Sequence, residues 1–194
     1  MYYNMKKMIL TIAAVAFAIG INAQVVKVSE AATWEWNDKA ANDVVSNSVE
    51  TVFNGLYIRG GADAHEIVAK RSTPKVTLKD GSQFKPKIGL YMAGNAFWSM
   101  IKPTTMPDNV NPKLDRCFAL QTEKAGTLTV VMKPKEGVED RYAKIVFDGK
   151  EVVSEELDSP DIQELTYTAD KPGVFWFGAS CYYYVYQVKF TPAE

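Results

Sequence analysis

Downstream of Val25, the chain is a succession of short apolar runs, many of them alternating with polar residues at period two and broken by Gly, Asn, Asp and Pro. No segment repeats its apolar residues at helical spacing. The runs "TWEW", "VETVFNGLYIRG", "EIVAKR", "KVTLKDGSQF", "KIGLYM", "RCFALQTE", "GTLTVVMK", "RYAKIVFDGKEVVSEEL", "QELTYTA", "GVFWFGA" and "YYYVYQVKF" therefore read as strands. Asp80-Gly81 and Asp148-Gly149 sit between such runs and can supply the positive φ that tight hairpin turns need. Many short strands at this spacing predict an all-β fold, an antiparallel β-sandwich or jelly roll, with barrel closure as the alternative. Alternation places Trp34, Trp36, Leu128, Val130, Ala143, Ile145 and Phe147 in the core. The segment "NDKAANDVVSNS" reads as one helical turn or a loop.

One segment breaks the rule. In "GVFWFGASCYYYVYQVKF", Gly173 to Phe190, eight of eighteen residues are aromatic, and Phe175-Trp176-Phe177 and Tyr182-Tyr183-Tyr184 load both faces of their strands. A strand with one face in water needs large apolar side chains only at alternate positions. Parity puts Trp176 opposite Phe175 and Phe177, and Tyr183 opposite Tyr182, Tyr184 and Tyr186. The expectation is that Val174 or Phe175 and the Tyr182 set fill the core, so that the other face is either covered by neighbouring chain or turned to a ligand.

The N-terminus changes the compartment. Lys6 and Lys7 precede an apolar run from Met8 to Ile21, and Ile21-Asn22-Ala23 ends in a small residue, the layout of a cleavable Sec signal peptide over residues 1–23. The run is shorter than the roughly 20 residues that span a bilayer, and no other run approaches that length. No Cys lies near the cleavage position, so lipid anchoring has no support. Residues 24–194 are expected to form a single β-sandwich domain, periplasmic or secreted. A formal net charge of −1 with no basic cluster gives no electrostatic footing for a nucleic acid. Cys117 and Cys181 could pair in an oxidising compartment, closing a long loop worth about 4 kcal/mol, or could serve as two small buried hydrophobes.

Candidate chemistry is sparse. His65, the one histidine, lies in "GADAHE" beside Asp63 and Glu66, but a zinc site needs further ligands that the neighbouring sequence lacks. No cofactor is implied, although a structural calcium, satisfied by carbonyls and carboxylates, is compatible with the fold class. A nucleophile elbow, a protease-like cysteine context and a phosphate-binding glycine loop are all absent from the sequence. Paired carboxylates for glycoside hydrolysis are made in space and leave no sequence signature. Glu155, Glu156, Asp158 and Asp161 fall in "SEELDSPDIQE", which reads as a solvated loop.

The order "TWEW", "FNGLYIRG", "RCFALQTEKAGTLTVVMK", "RYAKIVFDGKEVV" and "ELTYTADKPGVFWFGASCYYYVYQVKF" resembles small secreted β-sandwich domains of carbohydrate-binding-module type, found in or beside polysaccharide lyases of Gram-negative bacteria. The resemblance covers 33–58 loosely and 116–190 better, and 60–115 matches little. It implies a sandwich that binds carbohydrate and carries over no catalytic residues. Jelly-roll alginate lyases are a weaker match, because "YVYQVKF" lacks their glutamine-apolar-histidine motif.

With 4 Trp, 10 Tyr and 9 Phe, the chain holds more aromatic residues than the inner faces of a sandwich require. Exposed Trp or Tyr rings stack on the apolar C–H faces of sugars while polar side chains take the hydroxyls. Trp98, in "GNAFWSM", is flanked by turn residues and is the first candidate platform; Trp176, Tyr183 and the pair Tyr57 and Arg59, which share a face opposite Leu56 and Ile58, are the others. The expectation is an exported, non-catalytic domain that binds a polysaccharide or oligosaccharide. The alternative is a structural or protein-interaction module with a partner in the cell envelope, its aromatics forming the interface. A polysaccharide-degrading enzyme is the third class.

Overall fold

The structure is a computed structural model describing residues 27–36, 50–59, 68–71, 76–79, 81–85, 88–92, 117–135, 142–157 and 161–194. Trp98, His65, the expected signal peptide and the segment "NDKAANDVVSNS" lie outside these residues. The described strands are β1 (Ala32–Glu35), β2 (Glu50–Phe53), β3 (Leu56–Arg59), β4 (Val68–Arg71), β5 (Val76–Thr77), β6 (Gln83–Phe84) and β7 (Ile88–Met92). The second half of the chain adds β8 (Cys117–Gln121), β9 (Gly126–Pro134), β10 (Tyr142–Phe147), β11 (Lys150–Glu156), β12 (Gln163–Ala169), β13 (Val174–Ala179) and β14 (Tyr183–Pro192). No helix among the described residues is long and apolar enough to cross a membrane.

Two six-stranded antiparallel sheets form a sandwich. The first runs β12-β9-β14-β7-β4, with β1 also paired to β14; the second runs β11-β10-β13-β8-β3-β2; β5 and β6 make a separate hairpin. Both expected hairpins form, β5–β6 and β10–β11: Asp148 and Gly149 adopt φ of 46° and 79° and Gly81 adopts 80°, with Asp80 outside the described residues. A third, at Asn54 (49°) and Gly55 (86°), divides "VETVFNGLYIRG" into β2 and β3. That stretch reads as one strand only if the Asn-Gly pair, the strongest type I′ signal, is passed over.

The inner faces pack as alternation predicts. Trp34, Trp36, Leu128 and Val130 come from the first sheet and Ala143, Ile145, Phe147, Phe175 and Phe177 from the second, all in one buried cluster. Phe118 and Phe177 stack at 5.0 Å, and Phe175 reaches across to Phe190 of the opposite sheet at 6.3 Å. Each fully buried ring stabilises the fold by roughly 1.5–3 kcal/mol in transfer free energy.

β14 organises the first sheet. Its residues Tyr183 to Val185 pair with β7, and Gln187 to Phe190 pair with β1, so β7 and β1 share one flank of a single strand. Between them a bulge at Tyr186 shifts the register against β9. The Trp36 indole N–H donates to the Val185 carbonyl at 2.8 Å, filling the junction where β7 leaves off.

The bulge corrects one sequence expectation. Tyr183 points into the core with Val185, Val188 and Phe190, whereas Tyr184 and Tyr186 lie on the outer face and Tyr182 precedes the strand, 45% exposed. The Tyr182 set therefore does not fill the core. The charged run is corrected too, since Ser154, Glu155 and Glu156 are exposed residues of β11 and not of a loop.

Cys117 and Cys181 are both buried thiols, not a disulfide. Cys117 belongs to an apolar cluster on the outer face of the second sheet and Cys181 to the core between the sheets, so they serve different layers.

One polar contact locks the β10–β11 turn to the start of β13. The Asp148 carboxylate accepts from the Val174 amide at 2.9 Å and meets Lys171 Nζ at 2.9 Å. Gly173 allows this approach, because a Cβ there would lie 2.6 Å from the Asp148 carboxylate. Burial pushes the Asp148 carboxyl up, but the Val174 amide and the Lys171 ammonium outweigh it and hold it below its ordinary value. A depressed folded pKa means the contact stabilises above the unfolded pKa and is lost as pH falls through the folded one. Asp148→Asn, which tolerates the same left-handed turn, is expected to lower the urea midpoint at pH 7 and to converge on the wild type near pH 2.

Candidate functional site

Strand alternation decides which side chains each sheet turns outward. On the second sheet, Tyr57, Cys117, Ala119, Val146, Val174 and Trp176 form a continuous outer cluster, yet every one of them is buried. Tyr57 and Trp176 meet edge to face at 6.1 Å and are 1% exposed; Arg59, on the same face, is 8% exposed. The structure thus brings three sequence candidates, Tyr57, Arg59 and Trp176, onto one face, and that face is an inner layer of the protein. Tyr183 is fully buried between the sheets. As placed, none of these four offers a ring face to solvent.

The outer face of the first sheet is different. Register sets Lys133, Tyr184 and Tyr91 side by side on β9, β14 and β7. The Tyr91 and Tyr184 rings lie 5.0 Å apart, Tyr182 is 6.3 Å from Tyr91, and Tyr186 runs parallel to Tyr184, within 4°, at 6.2 Å. Tyr186 lies flat over Gly89, where a Cβ would come 2.5 Å from its ring. Only glycine lets that ring down onto the sheet. The Lys135 amide donates to the Tyr182 carbonyl at 2.8 Å, and its ammonium sits 5.7 Å from the centre of the Tyr182 ring. Burial raises the Tyr184 phenol, Tyr91 adds to the rise and Lys135 opposes it.

Along the same strand, beyond the bulge, the face turns polar. Glu164, Val131, Gln187 and Glu35 form one cross-strand row, and Thr166, Thr129, Lys189 and Thr33 the next. The β5–β6 hairpin flanks an open groove of about 600 Å³, lined by Glu164 and Gln187 of the first row, by the whole second row and by Leu78, Lys79, Ser82, Gln83 and Phe84 of the hairpin. The Lys79 amide donates to Glu164 Oε2 at 2.5 Å and ties the hairpin down. Gln187 Nε2 donates to Glu35 Oε1 at 2.6 Å. At 3.3 Å per residue, Tyr184 to Lys189 spans roughly 16 Å of continuous face.

Glu164 and Glu35 stand three strand spacings apart, roughly 14 Å between Cα atoms, wider than the ~5–9.5 Å at which carboxylate pairs hydrolyse glycosides. Among the described residues no group of three or more His, Cys, Asp or Glu is placed to hold a metal ion.

The tyrosines of this face had a sequence signal. In "KIGLYM", Ile88, Leu90 and Met92 alternate inward, which sends Tyr91 outward. In β14 the core positions Val185 and Val188 are three apart, not two, and that break in parity marks the bulge. The groove had none, because its hairpin, β5–β6, lies 43 residues from Thr33 and 45 from Thr129, the nearest wall residues along the chain.

No family model matches the sequence, and neither does any curated protein sequence. Among solved structures, the chain is similar to the tandem CBM51 modules of Sp3GH98, a family 98 glycoside hydrolase of Streptococcus pneumoniae SP3-BS71, with a TM-score of 0.45 and 8% identity over 85% of this chain and 49% of that one. It is also similar to CBM51 of Clostridium perfringens GH95, solved with methyl-galactose (TM-score 0.39, 8% identity, 82% of this chain and 100% of that one). A third is the CBM51-2 and INT region of C. perfringens ZmpB, solved with GlcNAc (TM-score 0.39, 12% identity, 79% of this chain and 31% of that one). These are distant likenesses to carbohydrate-binding modules, and they show no association with polysaccharide lyases.

Proposed function

We propose that this protein is an exported, non-catalytic carbohydrate-binding domain and that its ligand lies on the outer face of the first sheet. The observation that carries the reading is that exposed Tyr182 and half-buried Tyr91 and Tyr184 share the outer face of the first sheet with a polar groove, on the other side of the buried Tyr186. Tyrosine rings take the apolar faces of pyranose rings at low conformational cost, and Thr, Gln, Glu and Lys side chains take hydroxyls. The ligand class is a polysaccharide or oligosaccharide. Export rests on the N-terminal pattern of Lys6, Lys7 and the apolar run to Ile21. N-terminal sequencing of the protein recovered from an envelope or culture fraction is expected to begin at Gln24, and a start at Met1 or Met5 would overturn that part.

Tyr184→Ala is expected to weaken binding to any glycan that an array identifies by about tenfold, the value of one stacked ring beyond its area. Calorimetric titration checks it, with circular dichroism confirming the fold. An unchanged affinity would remove the tyrosine row from the site. An array without a glycan hit, together with a specific envelope protein captured by the same face, would replace the carbohydrate reading with protein interaction.

A further inference from the structure

We infer that the glycan is acidic, with a carboxylate or sulfate on the sugar that stacks on the tyrosines held by Lys133 and Lys135; this rests on the carbohydrate reading above. The carboxylates of this face are confined to one half, whereas lysines stand in both, Lys79 and Lys189 at the groove and Lys133 and Lys135 at the tyrosines. The two carboxylates among the described residues, Glu35 and Glu164, stand in the groove half, and each already accepts a hydrogen bond. At the tyrosine end, register puts Lys133 directly beside Tyr184, and Lys135 stands over the Tyr182 ring. Lys135 acts on Tyr184 as well, since its charge opposes the rise in that phenol's pKa.

A bare tyrosine face attracts cations through its negative quadrupole and would repel an anion. Two ammonium groups at the margin of the row reverse that preference: a pyranose can lie on the rings while an anionic substituent reaches a lysine at its edge. Such charge-assisted contacts are stronger than the neutral ones a hydroxyl would make. Lys133 is half-buried and Lys135 exposed, so circular dichroism of the glutamine variant is read beside its binding.

The test uses matched pairs: uronate-containing, sialylated and sulfated oligosaccharides, each beside its carboxyl-reduced or desulfated counterpart, titrated into the full protein at 50 mM and 500 mM NaCl. The acidic member of a binding pair is expected to bind about tenfold more tightly at low salt, the scale of one charge-assisted hydrogen bond. The preference is expected to shrink at high salt, where screening is stronger. In Lys133→Gln/Lys135→Gln it is expected to fall to about twofold or less. Equal binding of both members, or hits confined to neutral sugars, would overturn the inference and leave the carbohydrate reading standing. A preference that survives in the double variant would also overturn it. Binding to none of the sugars, acidic or neutral, would overturn the reading beneath it.

Discussion

Trp176→Ala is expected to destabilise the protein by about 3–5 kcal/mol, the range for removing a large buried aromatic side chain. The indole is 1% exposed, meets Tyr57 edge to face at 6.1 Å and belongs to the apolar cluster on the outer face of the second sheet. An exposed sugar platform would behave otherwise: its loss would cost little stability and much affinity. Urea denaturation with a glycan titration of the same variant separates the two. A midpoint near the wild type together with lost binding would return Trp176 to the ligand site. Trp176→Phe refines the test, because Trp176 Nε1 is buried with no hydrogen-bond partner among the described residues. Phenylalanine loses volume but also removes that orphaned donor, so its cost is expected to be well below that of alanine.

Trp36→Ala is expected to cost as much, about 3–5 kcal/mol, and to act on a different part of the molecule. Trp36 is fully buried, packs 6.1 Å from Phe53 of the opposite sheet, and donates to Val185 between the stretches of β14 that pair with β7 and β1. Alanine would open a cavity and strip the Val185 carbonyl of this donor. Hydrogen exchange is expected to show the loss concentrated at β1 and the middle of β14. Trp36→Phe, which keeps a ring but not the donor, is expected to cost only about 1 kcal/mol beyond its small volume loss. Uniform loss of protection across both sheets would show that the junction has no local role.

The difference between these two tryptophans marks what the sequence could and could not tell. Trp34 and Trp36 alternate with Thr33 and Glu35, so their inward direction follows from period two alone, and the structure agrees. Trp176 sits between two phenylalanines, and period two says only that it faces away from them. Whether that side meets water or protein depends on segments distant in the chain, which no local pattern encodes. Tyr183 failed for another reason: a single bulge residue inverted the parity of the tyrosines around it. Tyr57 and Arg59 were correctly placed on one face, and the burial of that face was the missing fact. The Asp-Gly hairpins were the most legible elements, because that pair favours its turn through backbone sterics without help from tertiary contacts, and the Asn54-Gly55 turn carries the same signal but is passed over when its run is read as strand.

The bulge at Tyr186 works like a phase marker in a coded message. Upstream of it β14 sends even-numbered residues outward, and downstream of it odd-numbered ones, Gln187, Lys189 and Thr191. Deleting that one residue would leave Val185 and Gln187 opposite the consecutive Met132 and Val131, a regular ladder in which Gln187 and Lys189 stay outward and Val188 and Phe190 stay in the core. Substitutions on this face can accumulate one at a time, and loss of the bulge residue spares the register, whereas loss of a regular position such as Val188 would send Lys189 to the core and Phe190 to the surface. Sequence drift in this protein is expected to rewrite the letters of β14, and to change its length at the bulge before anywhere else along the strand.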